Sequence, residues 1–321
     1  MSEQAIGQPD VKRRTGGTML LGRIYISDRT RYILRQLFTR PTSLAGLLLL
    51  AFFIGVAVAA PVLAPPQDPS NPFIIPHYGY APDPQLPSAQ HIFGTTESQF
   101  DIFYGIVWGT RTAFEVGLIV TLAAVVFGVS IGSIAGYYGG WVDDVLMRIV
   151  EVVLAFPFLL AAITLAAVLE GQVGRGLVAG MIALIAFGWP TYARLIRAEI
   201  LTLKQRDFVT AAKAIGASDF RILWNHILPN AIFPTLVYAS LDIGSYVISF
   251  AALSFLGLGA EVGYADWGQM ISFARNWIPS LAKYPHIVLY PGLAILLFVM
   301  AWNLIGDAFR DIIDPRLGGS R

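Results

Sequence analysis

The chain contains no cysteine, which excludes disulfides, thiolate catalysis and cysteine-ligated metal sites. Charge is nearly as scarce: Asp, Glu, Lys and Arg make up 13% of 321 residues, about half the ~25% usual in soluble domains. So few charges cannot clothe a water-exposed surface, so an ordinary soluble protein is excluded. The four histidines (His77, His91, His226 and His286) are scattered, and neither HExxH nor another metal-ligand spacing occurs. There is no GxxxxGK[ST] loop to cradle a phosphate, and no Ser, Asp or Glu constellation suggests intramembrane hydrolysis. Basic residues sit beside apolar runs, where membrane topology explains them better than nucleic-acid binding does. A non-catalytic protein that binds no nucleic acid is therefore expected.

Apolar length is what the chain has. Hydrophobic residues account for 55% of it, with a mean hydropathy of +0.62. Several runs of about 20 apolar residues are long enough to cross a hydrocarbon core of ~30 Å. The pattern predicts an all-α, polytopic membrane protein with six spans, near 44–64, 109–137, 145–169, 176–192, 232–258 and 286–305. Residues 1–43 form a separate basic segment, and 44–321 hold the six-helix domain. Between Arg29 and Arg40, Tyr32, Ile33, Leu37 and Phe38 alternate with Arg31 and Arg35, as in an amphipathic helix lying on an anionic membrane face. The stretch 65–103 is rich in proline and has no Lys or Arg. By the positive-inside rule it lies outside, and with six spans both termini are cytoplasmic.

One polar, amphipathic island interrupts the apolar pattern: residues 207–229, DFVTAAKAIGASDFRILWNHILP. Phe208, Ala211, Ala212 and Ile215 recur at helical spacing and predict one apolar face on a short helix. Gly216 closes that helix. Ser218 reads as the N-cap of a second short helix striped by Phe220, Leu223, Trp224 and Ile227, with Pro229 as its stop. Arg194, Arg197, Lys204, Arg206, Lys213 and Arg221 cluster here, which puts the island on the cytoplasmic side. The residues alone leave two readings open, a docking knob or a connecting loop folded back on the membrane.

Within the spans, Gly117, Gly128, Gly132 and Gly136 fall close to one face and predict tight helix packing. Three acidic residues lie in spans. Glu115 follows Arg111 by four residues and Glu151 follows Arg148 by three, so local ion pairs are expected for both. Asp242 has no basic neighbour in sequence; it should face the bundle interior and is a candidate for the solute pathway.

The island, followed by Asn230, resembles the EAA loop of ABC-importer permeases: E-A-A, three residues, G, nine residues, I, one residue, L-P. Ala211, Ala212, Gly216, Leu228 and Pro229 fit at that spacing. Thr210 stands where Glu is usual and His226 where many families have Ile, although His before I-L-P-N is how the dipeptide, oligopeptide and nickel branch commonly reads. Tyr137 to Asp143, Ala155-Phe156-Pro157, Ala252 to Gly259, Trp267-Gly268, and Asp307 to Leu317 look like further parts of that branch. The likeness covers nearly the whole chain from about Arg29. Two departures bear on substrate class: the outer F-G-T-D…G-R-D segment keeps only Phe93, Gly94, Thr95 and Asp101, and an often acidic position is Phe250.

The resemblance implies the type I ABC-importer permease fold, in the second, C-type permease of a peptide importer of the prokaryotic cytoplasmic (inner) membrane. It implies a heterodimer with a homologous permease, two ABC ATPase subunits that carry the ATP and magnesium, and an extracytoplasmic substrate-binding protein. No cofactor is expected on this chain. Phe208, Thr210, Ala211, Ala212, Ile215, Gly216, Phe220, Trp224, His226, Leu228 and Pro229 would form the ATPase-coupling loop, with Ala211 and Ala212 permitting close approach of the ATPase. Asp242 and Phe250 would border the pathway. Oligosaccharide or nickel import is the alternative cargo within this machinery. An ion-coupled secondary transporter or a membrane scaffold is the alternative outside it.

Overall fold

The computed structural model describes residues 38, 40–174 and 176–313. The amphipathic segment expected between Arg29 and Arg40 therefore lies outside the described residues, apart from Phe38 and Arg40. So do Arg175 and the ending from Asp314 onward.

Among the described residues all regular structure is helical, joined by three isolated β-bridges. The long helices are α1 (Pro41–Leu63), α2 (Ile102–Tyr138), α3 (Gly140–Leu154), α4 (Phe158–Val173) and α5 (Leu177–Leu203). Short α6 (Asp207–Ala214) and α7 (Asp219–Ile222) follow, then a π-helical turn (Leu223–Ile227) that runs straight into α8 (Leu228–Phe255). After it come α9 (Trp267–Ser272), a 3-10 turn and α10 (His286–Ile313). Five of these segments are long and apolar enough to span a membrane, and α3 with α4 makes a sixth only as a bent pair.

Helices α3 and α4 meet at 85°, so the span expected over 145–169 is a pair of helices bent at 155–157. Pro157 has no N–H to continue the ladder and takes the position just before α4. The other spans differ in extent. α2 begins at Ile102, seven residues before the apolar run, and α5 continues from 192 to Leu203. Apolarity marks only the part of a helix in lipid, whereas backbone hydrogen bonding carries on past it.

The centre of the bundle is the pairing of α2 with α5, and glycine makes it possible. A methyl group added at Gly128 would lie 2.5 Å from the Trp189 carbonyl oxygen; at Gly132 it would lie 2.2 Å from that of Ala193. Gly136 opens the same groove toward Arg197 and Ile200, while Gly117 receives Ile243 and Val247 of α8. Without a hydrophobic force between helices in lipid, such backbone-to-backbone approach is the main source of dispersion energy. The glycine face read from the sequence thus serves two partners.

The two ends of the bundle differ in character. At one, residues 64–101 fold against the segment between α8 and α10. Trp277 Nε1 donates to Glu97 at 2.8 Å, Tyr284 Oη donates to Asp83 at 3.0 Å, and Asp101 both caps α2 through the Tyr104 amide and pairs with His91 at 2.9 Å. At the other, Arg40 at the start of α1 pairs with Asp311 near the end of α10, and Arg197 grips Asp143 with two bonds of 2.6 and 2.5 Å. The island projects from this second end.

Candidate functional site

The island is a folded knob, and its first half behaves as its residues require. Helix α6 ends where Gly216 adopts a φ of +80°, a conformation costly for any residue with a Cβ. Ser218 then caps α7 by accepting from the Arg221 amide at 3.4 Å. Pro229 does not stop the second helix. The backbone widens into the π turn, the Leu228 amide reaches back to the Leu223 carbonyl, and Asn230 donates its side-chain amide to the His226 carbonyl at 2.6 Å. Pro229 follows the π turn inside one continuous helical segment from Asp219 to Phe255, and the widened turn accommodates its missing N–H. The fifth span therefore grows directly out of the knob instead of starting at 232.

Each short helix has two apolar sides where the sequence pattern suggested one. Val209, Ala212, Ile222, Leu223 and Ile227 turn inward and join Val129, Tyr137, Ile196, Ile200, Leu228 and Ala231 in a buried cluster. Burying each larger aliphatic side chain there is worth about 2 kcal/mol, enough to hold the knob on α2 and α5. Phe208, Ile215, Phe220 and Trp224 turn away and are 41, 85, 69 and 42% exposed. Thr210, Ala211, Gly216, His226 and Pro229 lie on the exposed side with them. Ala212 is on the inner side, which corrects its expected role in close approach of a partner; Ala211 keeps that possibility. Phe220 and Trp224 lie together, ring centroids 5.9 Å apart.

The ionisable residues of the spans sort differently. Arg148 and Glu151 form the expected pair at 3.0 Å. Arg111 does not turn to Glu115: it donates to the Ala57 carbonyl at 2.5 Å and lies over the Trp108 ring, leaving Glu115 exposed. One contact to α1 and one within α2 satisfy the guanidinium better than one exposed local carboxylate. Asp242 is half-buried, accepts from Tyr192 Oη of α5 at 2.9 Å and has Tyr246 as a second hydroxyl partner. Along α8, Tyr238, Asp242, Ser245 and Ser249 share one face; Tyr238 and Ser245 are exposed and the others half-buried. Sequence reading missed this stripe, although its spacing of four, three and four was available. Phe250 is elsewhere: 2% exposed, it fills the space left by Gly180 inside the core. Among the described residues no group of three or more His, Asp or Glu is placed to hold a metal.

Comparison with known proteins is consistent along the chain. The family model for the "binding-protein-dependent transport system inner membrane component" matches residues 128–319, and that for the "N-terminal TM domain of oligopeptide transport permease C" matches 29–85. The dipeptide transport system permease protein DppC of Alkalihalophilus pseudofirmus is 39% identical over 291 residues, 89% of this chain and 90% of its own. The glutathione transport system permease protein GsiD of Pectobacterium atrosepticum is 37% identical over 283 residues, 88% of this chain and 90% of its own. A solved MetNI methionine ABC transporter in an inward-facing conformation aligns over 65% of this chain and 98% of its own, at 20% identity and a TM-score of 0.49.

Proposed function

Because the chain belongs to the family of binding-protein-dependent transport system inner membrane components, in its oligopeptide permease C branch, we propose that it forms half of the translocation path of an ATP-driven peptide importer. Its relatives are named for dipeptide and glutathione transport, and peptides of that size are the cargo class we assign. The chain is multi-pass in the membrane, with the knob and both termini on the cytoplasmic side. It pairs with a homologous permease, and it carries neither ATP nor catalytic groups of its own.

The observation that carries the mechanism is the outer side of the knob. Four large apolar side chains stand exposed at a bundle end whose charged residues mark it as outside the lipid. Apolar surface gathered in water marks a partner site. Laid in a groove of an ATPase subunit, Phe208, Ile215, Phe220 and Trp224 bury their area there. The inner side packs on α2 and α5, so ATPase closure that displaces the knob also loads the bundle behind it. Thr210, on the exposed side, supplies no carboxylate to an ATPase base, which leaves the contact dependent on apolar area. The stripe of Tyr238, Asp242, Ser245 and Ser249 is the surface we assign to the path, since such a face is costly against lipid.

Ile215→Asp and Trp224→Asp test the docking surface. Both positions are exposed, so the permease should reach the membrane and keep its melting temperature. Co-purification of the ATPases and peptide uptake should both fall at least tenfold. Normal uptake by both variants would overturn the assignment.

A further inference from the structure

One side chain ties the knob to the bundle by direction as well as by packing. Tyr137 is the second-last residue of α2 and is 4% exposed. Its hydroxyl donates to Asp219 Oδ1 at 2.6 Å, across 82 residues of chain, at the first residue of α7. Lys204, just past α5, donates its ammonium to the Tyr137 carbonyl and lies 5.5 Å from the ring centroid; Lys213 of α6 lies 6.0 Å from the same centroid. Four segments thus meet on one residue: α2, the end of α5, and both short helices of the knob. Immediately afterwards Gly139 and Gly140, with φ of +69° and +56°, turn the chain into α3.

Beyond the cation contact and the continuous junction with α8, the knob meets α2 and α5 through the apolar cluster, which is non-directional. Apolar contacts hold the knob against the bundle but permit it to slide or tilt. A short hydroxyl-to-carboxylate bond fixes both a distance and an angle. The ring of Tyr137 is rigid, and α2 continues from it to the Gly128 and Gly132 contacts with α5.

We propose that Tyr137 is the positioning residue that passes the knob's displacement to α2, through the Tyr137–Asp219 bond, and from α2 to its packed partner α5. The inference rests on the knob being the ATPase dock. Without the hydroxyl the knob still docks, but its movement is lost as slippage over the apolar cluster and ATP is hydrolysed without transport.

The test uses the complete importer in proteoliposomes, with both permeases, the ATPases and the binding protein, and reads peptide delivered per ATP hydrolysed. Tyr137→Phe keeps the ring, its packing and its cation contacts. Expected are ATPase co-purification and a melting temperature close to wild type, with the ratio of transport to hydrolysis reduced at least fivefold. Asp219→Asn keeps a neutral acceptor and should lose less than threefold. The double variant should fall no further than Tyr137→Phe alone, because both changes act on the same bond. An unchanged ratio in Tyr137→Phe overturns the proposal, as does an additive loss in the double variant. Loss of ATPase co-purification in Tyr137→Phe also overturns it, since the hydroxyl would then shape the dock instead of transmitting from it. Failure of the docking assignment is read separately, from ATPases that stay bound to Ile215→Asp and Trp224→Asp.

Discussion

Replacing Gly132 by alanine isolates the contact on which the bundle depends. The added methyl would stand 2.2 Å from the Ala193 carbonyl oxygen and 2.6 Å from Ile196 Cγ2. A carbon–oxygen contact relaxes near 3.3 Å, and the oxygen belongs to a helix backbone that no rotamer change can move. Helices α2 and α5 must therefore part by about 1 Å. A gap of 0.5–1 Å forfeits a quarter to a half of each atom-pair attraction of ~0.1–0.2 kcal/mol, and on the order of 40 pairs are affected. The steric loss is then roughly 1–4 kcal/mol. Against it stands the helix-propensity gain of alanine over glycine, up to about 1 kcal/mol. Gly55→Ala supplies that gain without the clash, because no atom of the described residues lies within 4 Å of the methyl it would add. The measurement is thermal unfolding of detergent-purified protein at one scan rate, where ~1 kcal/mol moves the midpoint about 2–4 °C in mid-sized domains. Gly132→Ala should melt several degrees below wild type and Gly55→Ala at or above it. Equal midpoints for the two variants would refute the argument that the α2–α5 pair is held at backbone contact.

Two further outcomes follow from hydrogen-bonded carboxylates. Asp242→Asn keeps an acceptor for Tyr192 but removes the charge from the α8 stripe; uptake of labelled dipeptides should fall several-fold while ATP hydrolysis continues, and unchanged uptake would leave Asp242 a packing residue. Asp266 caps α9 through the Gln269 amide at 2.8 Å, and burial pushes its carboxyl up to about 6 from an ordinary 3.8. A folded value above the unfolded one means the native state binds the proton more tightly, so stability is greatest below pH 4 and lost as pH rises through 6. At ~1.4 kcal/mol per pH unit the ionised group costs on the order of 3 kcal/mol at neutral pH. Asp266→Asn, which still caps, should raise the melting temperature at pH 7.5 and flatten its dependence between pH 5 and 7; an identical pH profile would contradict this.

Much of the bundle was legible because lipid imposes strong rules on sequence. Apolar runs gave five of the spans nearly in register, and the glycine spacing at 117, 128, 132 and 136 anticipated close packing, because small residues are what such packing requires. The break in the third span hid in plain view: Pro157 was visible as part of a family pattern, but a proline inside an apolar run is equally compatible with a kink. Pro61, Pro190, Pro234 and Pro291 all lie inside helices that continue. What differs at 155–157 is the three-dimensional course of the chain, which local composition does not encode. The Arg111 partners were hidden for a related reason. A pairing rule based on i,i+4 spacing sees only the same helix, whereas the better acceptor, the Ala57 carbonyl, lies 54 residues away.

The knob shows where periodicity itself misleads. Phe208, Ala211, Ala212 and Ile215 fit one stripe because a helical period tests for a single apolar face. A segment that must hold to its own bundle and also bind a separate partner needs two. Val209 and Ala212 take the inner face, Phe208 and Ile215 the outer. The same division separates Ile222, Leu223 and Ile227 from Phe220 and Trp224. A single-stripe reading marks α6 as amphipathic without telling a packed face from a docking face, which is why an ordinary loop stayed an open reading from the residues alone. The exposed set then carries the functional signal, and it does so by what the fold leaves unburied: hydrophobic side chains that the chain could have packed internally stand in water beside a face that it did pack. On the docking assignment, Thr210 sharpens this, since a dock without its usual carboxylate must draw its affinity from those four side chains. Its binding to the ATPases should accordingly weaken less with added salt than that of a relative with glutamate at this position, because apolar burial is not screened and ion pairs are.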